Sequence, residues 1–323
     1  DYLRNLSKEG QIEWCRVDRF ITPNEARALG LSRVKTKYAV FIDNDVVFQK
    51  GWLERMVDCA ERRHAAAVIP LTCEGWPPHT TIHQAGGQSL ACDSDSGERP
   101  PELIDAMFYQ GSSVETVAEL KETETDHLEF HCVLLNCEMV IEAGGFDPLM
   151  KSTKEHVDLS ICLRKLGHSI WLVPDSVVTY VFPCQEHPVS LADLPFLLYR
   201  WSEESGRQSW KRLMEKHELQ ITSDFIEKKL RFYSTRRKQA IVMALCHRWP
   251  MFRKNLPKYW LKGFLTLFER PLHRAWFSAI YGSNKKQPKV NWITSDGEHS
   301  AQLLADMVLN KSSSESLNTK GAV

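Results

Sequence analysis

The apolar positions change period along the chain. Tyr38-Ala39-Val40-Phe41-Ile42 is an unbroken apolar and aromatic run that leads straight into Asp43-Asn44-Asp45. A run this short, β-branched and apolar on both faces predicts a buried strand. Trp52, Leu53, Met56, Val57 and Ala60 recur instead at helical spacing, which predicts an amphipathic helix over 51–63. Ala65–Leu71 predicts a second buried strand. Upstream, Ile12–Val17 reads as a short strand and Thr22-Pro23-Asn24-Glu25 as a helix start with Pro just inside it. Strand–helix–strand alternation predicts an α/β fold, a mostly parallel sheet flanked by helices with right-handed crossovers.

Further on, 72–127 reads as irregular, with one strand candidate at Thr80–Ala85. Leu128–Leu135 is another strand candidate. Cys137–Ala143 is a helical turn stopped by Gly144-Gly145, and Glu155–Leu166 a helix with Gly167 after it. Ser169–Pro174 and Ser176–Phe182 read as two strands. After Pro188 the pattern becomes helical to about Tyr281, and from Gly282 it turns polar, with low complexity at Lys311–Ser316. The expected division is 1–188 (α/β unit), 189–281 (helical extension) and 282–323 (disordered polar tail).

The formal net charge is zero, yet 225–290 holds 16 Lys and Arg against two acids, Glu227 and Glu269, a local charge of +14. Nine cysteines are scattered without a CxxC pair, so reduced thiols are expected rather than a disulfide framework. No apolar run reaches the length of a transmembrane helix, and no stretch of the given sequence reads as a signal peptide. These features favour a reducing compartment or a cytoplasmic membrane face. The chain starts without Met, and an N-terminal piece is expected to be missing.

Composition does not point to chemistry, but Asp43 and Asp45 do. In open α/β sheets ligands bind at the carboxyl ends of strands, and two hard oxygen ligands there suit a divalent cation carrying phosphate. The chain contains its own control. Asp93-Ser94-Asp95 has the same spacing but lies in a Gly/Ser/Pro-rich stretch with no apolar strand before it, and reads as a solvated loop. Context alone leaves Asp43-Asn44-Asp45 open between a metal site and a strand-ending turn.

Asn24-Glu25-Ala26-Arg27-Ala28-Leu29-Gly30-Leu31, the strand with its Asp43-Asn44-Asp45, and Gly51-Trp52-Leu53-Glu54 together resemble the family-2 glycosyltransferases. A second block, Gly144-Gly145-Phe146-Asp147 followed by Glu155-His156-Val157-Asp158-Leu159, is similar to that family's Gly-Gly-Phe-Asp and Glu-Asp-x-Asp-Leu segments. The resemblance covers roughly 20–185. It implies a GT-A fold without its first N-terminal strand, a nucleoside-diphosphate-sugar donor, a divalent cation (Mn or Mg) and inversion at the anomeric carbon. By carry-over, Asp45 is the first cation ligand, Asp43 meets the donor or the cation, and Arg27 lies at the donor site. The base is sought among Glu155, His156 and Asp158, with Glu155 first; His156 stands where the family has an acid. Cys162 stands where the family often has Arg. The expected His after the last strand is missing, which leaves His187 as the nearest candidate ligand. His131, with His83 nearby, and Gly144-Gly145 are candidates for the acceptor cleft.

The basic, aromatic stretch from Trp249 to Lys262 admits packing on the α/β unit, an anionic membrane surface or nucleic acid. No nucleic-acid module appears, so nucleic acid is not expected. Two functions follow: a metal-dependent inverting transfer of sugar to a glycan, lipid-linked or small-molecule hydroxyl, or a catalytically silent module that binds a nucleotide-sugar, glycan or protein partner.

Overall fold

The computed structural model describes residues 2–92, 102–181, 189–253, 255–282 and 289–302. In chain order the elements begin α1 (Tyr2–Lys8), β1 (Trp14–Val17), α2 (Pro23–Arg33), β2 (Tyr38–Ile42), β3 (Val46–Phe48), α3 (Trp52–Arg63), β4 (Ala67–Glu74) and β5 (Ile82–Gln84). Then come β6 (Gly87–Cys92), β7 (Glu102–Met107), β8 (Thr123–Thr125), β9 (Cys132–Asn136), α4 (Cys137–Glu142), α5 (Glu155–Lys165) and β10 (Ile170–Tyr180). The chain continues with α6 (Leu194–Arg200), α7 (Glu203–His217), α8 (Ser223–Arg248), α9 (Asn255–Phe277), β11 (Lys289–Thr294) and β12 (Gly297–Gln302).

The fold is α/β with a mixed sheet and a helical C-terminal part. The main sheet has the order β2-β9-β4-β10-β3, with β5 beside β4 and β8 beside β10. Its parallel pair among the described residues is β4 with β10. The expectation of a mostly parallel sheet is corrected at this point. β9 is inserted antiparallel between β2 and β4, because it starts at the edge where those strands end. Even so, β2, β4 and β10 run in the same direction and end on one edge.

Apolar alternation decides what each sheet face covers. Ile69, Leu71, Leu135 and Leu172 pack with Leu31 of α2, Val140 of α4 and Leu159 and Leu163 of α5. Val68, Leu134, Val173 and Val178 face the other way, onto Met56, Cys59 and Ala60 of α3. With both faces covered, β4 shows continuous burial from Ala67 to Cys73, as its unbroken apolar run implied. The two strands expected on either side of Pro174 form one strand, β10. A register shift against β4 between Val173 and Val177 accommodates the residue that has no N–H.

Two stretches differ from their expected character. Within 72–127, β6 and β7 form a hairpin. The supposed polar tail contains the β11–β12 hairpin, whose inner strand β11 pairs with β1. The reason is apolar: Val290 and Trp292 pack on Leu29 of α2 together with Cys15, Val17 and Ile21. Asp93-Ser94-Asp95 and the low-complexity stretch at 311–316 lie outside the described residues.

The helical extension packs on the α/β unit. Trp210 and Leu213 of α7, with Leu230 and Tyr233 of α8, cover Val157 and Ile161 of α5 and Met150. Gly206 permits this approach: a Cβ there would lie 2.5 Å from Leu230 and 2.9 Å from Tyr233. The Arg237 guanidinium is fully buried, with Glu269 of α9 on one side and Glu203 of α7 on the other. Part of the basic excess therefore lies inside the extension as paired charge.

Candidate active site at the carboxyl edge of the sheet

Because β2, β4 and β10 end on one edge and β9 starts there, their terminal residues converge. Asp43 follows β2, Glu74 closes β4, Tyr180 closes β10, and His131 immediately precedes β9. The aspartate turn is pinned on both sides. The Asp43 N–H donates to the His131 carbonyl at 3.0 Å, and the Asp45 carbonyl accepts from Val181 N–H at 2.8 Å. The Asp45 side chain is exposed at the edge, and Asp43 is half-buried.

Arg27 connects this turn to the second sequence block. Its position comes from α2, whose start is closed by a reciprocal capping box between Thr22 and Glu25. Asn24 Nδ2 donates to the Asp147 carbonyl at 2.6 Å, and Lys151 Nζ lies 2.7 Å from Glu25. These bonds lock α2 against the 147–155 segment. The Arg27 guanidinium sits 4.1 Å above the Phe130 ring. Nη1 donates to Glu155 at 3.2 Å, and Nη2 lies 3.7 Å from Asp43. Phe146, from the Gly-Gly-Phe-Asp block, packs against both Phe41 and Phe130 beneath it.

The charges are tuned by this arrangement. Burial pushes Asp43 above the usual carboxylate value, and Arg27 and His131 restrain the rise. Burial also works on Glu155 in the upward direction, but the Arg27 and Arg200 charges outweigh it and hold that carboxyl below its ordinary value. Glu155 is therefore ionised at neutral pH and able to accept a hydrogen bond.

The other candidates are distributed differently. His156, the next residue of α5, turns its Nε2 toward Asp105 of β7 at 3.8 Å and its ring toward His127. Asp158 is removed from the edge. It is 2% exposed, 2.7 Å from His217 Nε2 and 2.8 Å from Lys216 Nζ, both on α7. That pairing makes it a buried anchor for the extension, which corrects its candidacy as a base. Cys162 lies one helical turn beyond it, 4.0 Å from the same carboxylate. Gly144 and Gly145 end α4 with φ of +94° and +66°, and their N–H groups return to Ile141 and Val140. They serve as a helix stop that aims Phe146 into the core, rather than as a lining for an acceptor. His187 lies outside the described residues.

Three residues at this edge escaped the sequence reading. Glu129 Oε2 lies 2.6 Å from His131 Nδ1, His83 Nδ1 lies 2.9 Å from Glu74, and the Tyr180 hydroxyl donates to Glu74 at 3.1 Å. His131 stacks on Tyr180 with ring centres 4.0 Å apart. Glu74, Glu129 and Tyr180 carry no motif. Their common signal is position, at strand ends on the edge that holds Asp43.

Residues 3–87 match the family model described as Glycosyl transferase family 2. The matched segment includes Arg27, Asp43 and Asp45, and it falls in the first of the two blocks that carry the resemblance. No curated protein matches the chain. A solved structure titled "Crystal structure of GalNAc-T7 with UDP, GalNAc and Mn2+" is similar at 14% identity with a TM-score of 0.38, covering 67% of this chain and 44% of that one. The chain thus spans less than half the length of that structure.

The assignment of Asp158 is open to a direct check. Burial alone would push its pKa up; the hydrogen bond from His217 and the Lys216 charge outweigh this and hold it below the ordinary 3.8. Its contribution to stability is therefore complete above the unfolded value and is lost as pH falls through the folded one. Asp158→Ala, which strands a buried imidazole, is expected to cost about 3–5 kcal/mol in urea unfolding at neutral pH. A loss below about 1 kcal/mol, the range of an exposed pair, contradicts the structural role.

Proposed function

We propose that the protein transfers a sugar from a nucleoside-diphosphate-sugar donor to an acceptor hydroxyl, with inversion, at the carboxyl edge of a GT-A-type sheet. The observation that carries this reading is Arg27. Inside the family-matched segment, it ties Asp43 of one sequence block to Glu155 of the other at 3.7 and 3.2 Å. Asp45 and Asp43 present hard oxygen donors of the kind Mg²⁺ or Mn²⁺ takes together with substrate phosphates. The exposed Asp45 is the better placed of the two, because Arg27 already answers part of the Asp43 charge. When bound, a divalent cation supplies neutralisation of the departing diphosphate.

The chain's own residues have the remaining tasks. Arg27 orients both carboxylates by a charge-assisted bond and an ion pair above the Phe130 ring. Glu155 is the candidate for accepting the acceptor's proton, from the face opposite the leaving group. One observation favours the second reading, a binding module without catalysis. The guanidiniums of Arg27 and Arg200 hold Glu155 below its ordinary pKa, which weakens it as a base.

A lipid-linked acceptor would be met at a membrane on which the outer face of the extension lies. On α9, Trp260 (74% exposed), Phe264, Leu267 (70%), Phe268 and Leu272 recur at helical spacing, flanked by Arg270 and by the more exposed Arg274, both of which also pair with Glu203. Aromatic and aliphatic side chains in water beside basic ones suit the surface of an anionic bilayer, on which the helix would lie in plane. No helix among the described residues is long and apolar enough to cross a membrane.

Two experiments test this reading. Titration with a panel of nucleoside-diphosphate sugars is expected to give binding that requires Mn²⁺ or Mg²⁺ and disappears in Asp45→Ala; unchanged binding in the variant removes Asp45 from the donor site. Vesicle flotation is expected to recover the protein with anionic but not neutral liposomes, and Trp260→Ala with Phe264→Ala to reduce recovery several-fold. Equal recovery on both lipids rejects the electrostatic surface.

A further inference from the structure

We infer that His83, Glu129 and His131 form a binding site for a borderline transition-metal cation of the Zn²⁺ or Co²⁺ class, separate from the Asp43–Asp45 pair. The first observation is convergence. One ligand atom from each of the three residues lies within 4.8 Å of the other two, and the side chains are only 12–21% exposed. They come from distant positions, β5 for His83 and the segment before β9 for Glu129 and His131, so the fold rather than sequence proximity assembles the full set. Two imidazole nitrogens and one carboxylate oxygen make the donor set of an open, three-ligand zinc site.

The second observation is the surroundings. The Glu74 carboxylate hydrogen-bonds His83 at Nδ1 and is itself held by the Tyr180 hydroxyl. This is the outer support that a metal-bound histidine needs, and it leaves Nε2 as the ligating atom. Tyr180 also stacks on the His131 ring and fixes its plane. His131 Nδ1 is buried, 2.6 Å from Glu129, yet makes no hydrogen bond. Glu129 Oε2 already accepts from the His131 backbone N–H at 2.6 Å, so the His131 nitrogen is the atom that a cation would satisfy.

Charge separates this cluster from two others of similar make-up. Asp105 beside His127 and His156 is already met by the Lys154 ammonium, and Asp158 beside Cys162 and His217 by Lys216. Among the described residues, no Lys or Arg is paired with Glu129. The competing occupant at the His83 cluster is therefore a proton on His131, which a metal would displace, so metal affinity is expected to fall as pH falls.

The test uses the full chain and no nucleotide, so its outcome does not depend on the sugar-transfer reading. Co²⁺ titration of the wild type at pH 7.5, roughly within the range where imidazole ligands are neutral, is expected to give one equivalent bound, with visible d–d bands that Zn²⁺ bleaches. His83→Gln and His131→Gln are expected to lose both band and stoichiometry, whereas Asp45→Asn keeps them. Glu74→Gln, which only withdraws the support of His83, is expected to weaken Zn²⁺ by about 10–100-fold in competition with a chromogenic chelator. If a histidine variant does not fold, the wild-type spectrum and the Glu74 variant still decide. No Co²⁺ band in the wild type, an unchanged affinity in Glu74→Gln, or loss of the band in Asp45→Asn would each overturn the site.

Discussion

One guanidinium holds the candidate site together. Arg27 is 89% buried over an aromatic platform, and it reaches two carboxylates that the chain separates by more than a hundred residues. A planar, always-charged fork can bridge two anions in this way, whereas a lysine would answer one of them. The platform is part of the same constraint. Phe41 ends in β2, Phe130 precedes β9 and Phe146 follows the glycine stop of α4, so the ring contacts that form the core also set the plane of the charge. Without Arg27, the buried Glu155 carboxylate would lose its ion pair and the half-buried Asp43 its nearest cation.

The helical extension follows a similar logic at a second location. Arg237 is buried without exposure between Glu269 and Glu203, and Asp158 is buried between His217 and Lys216. Buried pairs of this kind contribute little net stability when compared with apolar packing, but they are costly to break. They fix how α7, α8 and α9 sit on one another and on α5. The apolar surface that remains uncovered is then concentrated on α9, where it is flanked by arginines.

Much of this was legible from periodicity. The helix α3 and the continuous burial of β4 appear as runs whose period matches the element that forms, whereas the strand before Asp43 forms as expected but is half-buried at the end of the sheet, with Ile42 exposed, and not covered on both faces. Arg27, Asp43 and Glu155 were singled out through the spacing of two blocks, and the fold brings the three side chains together. What escaped was non-local. Nothing in Cys132–Asn136 says that it runs antiparallel between two strands, because an all-apolar strand reads the same in either direction. The β11–β12 hairpin was hidden by the polar residues around Val290 and Trp292, whose partner, Leu29, is far away in sequence. Asp158 was misassigned because a carboxylate at a helix start looks alike whether it faces a cleft or a lysine of another helix. Glu74, Glu129 and Tyr180 become a group only when strand ends meet.

The central proposal is that Asp43, Asp45 and Arg27 hold the donor on one edge of the sheet, with Glu155 on the acceptor side of the same site. Anomalous diffraction from crystals grown with Mn²⁺ and a nucleoside diphosphate tests this most directly. The expected result is a manganese peak within coordination distance of the Asp45 carboxylate, with the diphosphate beside it. A nucleotide bound elsewhere on the protein, with no manganese at Asp45, would contradict it.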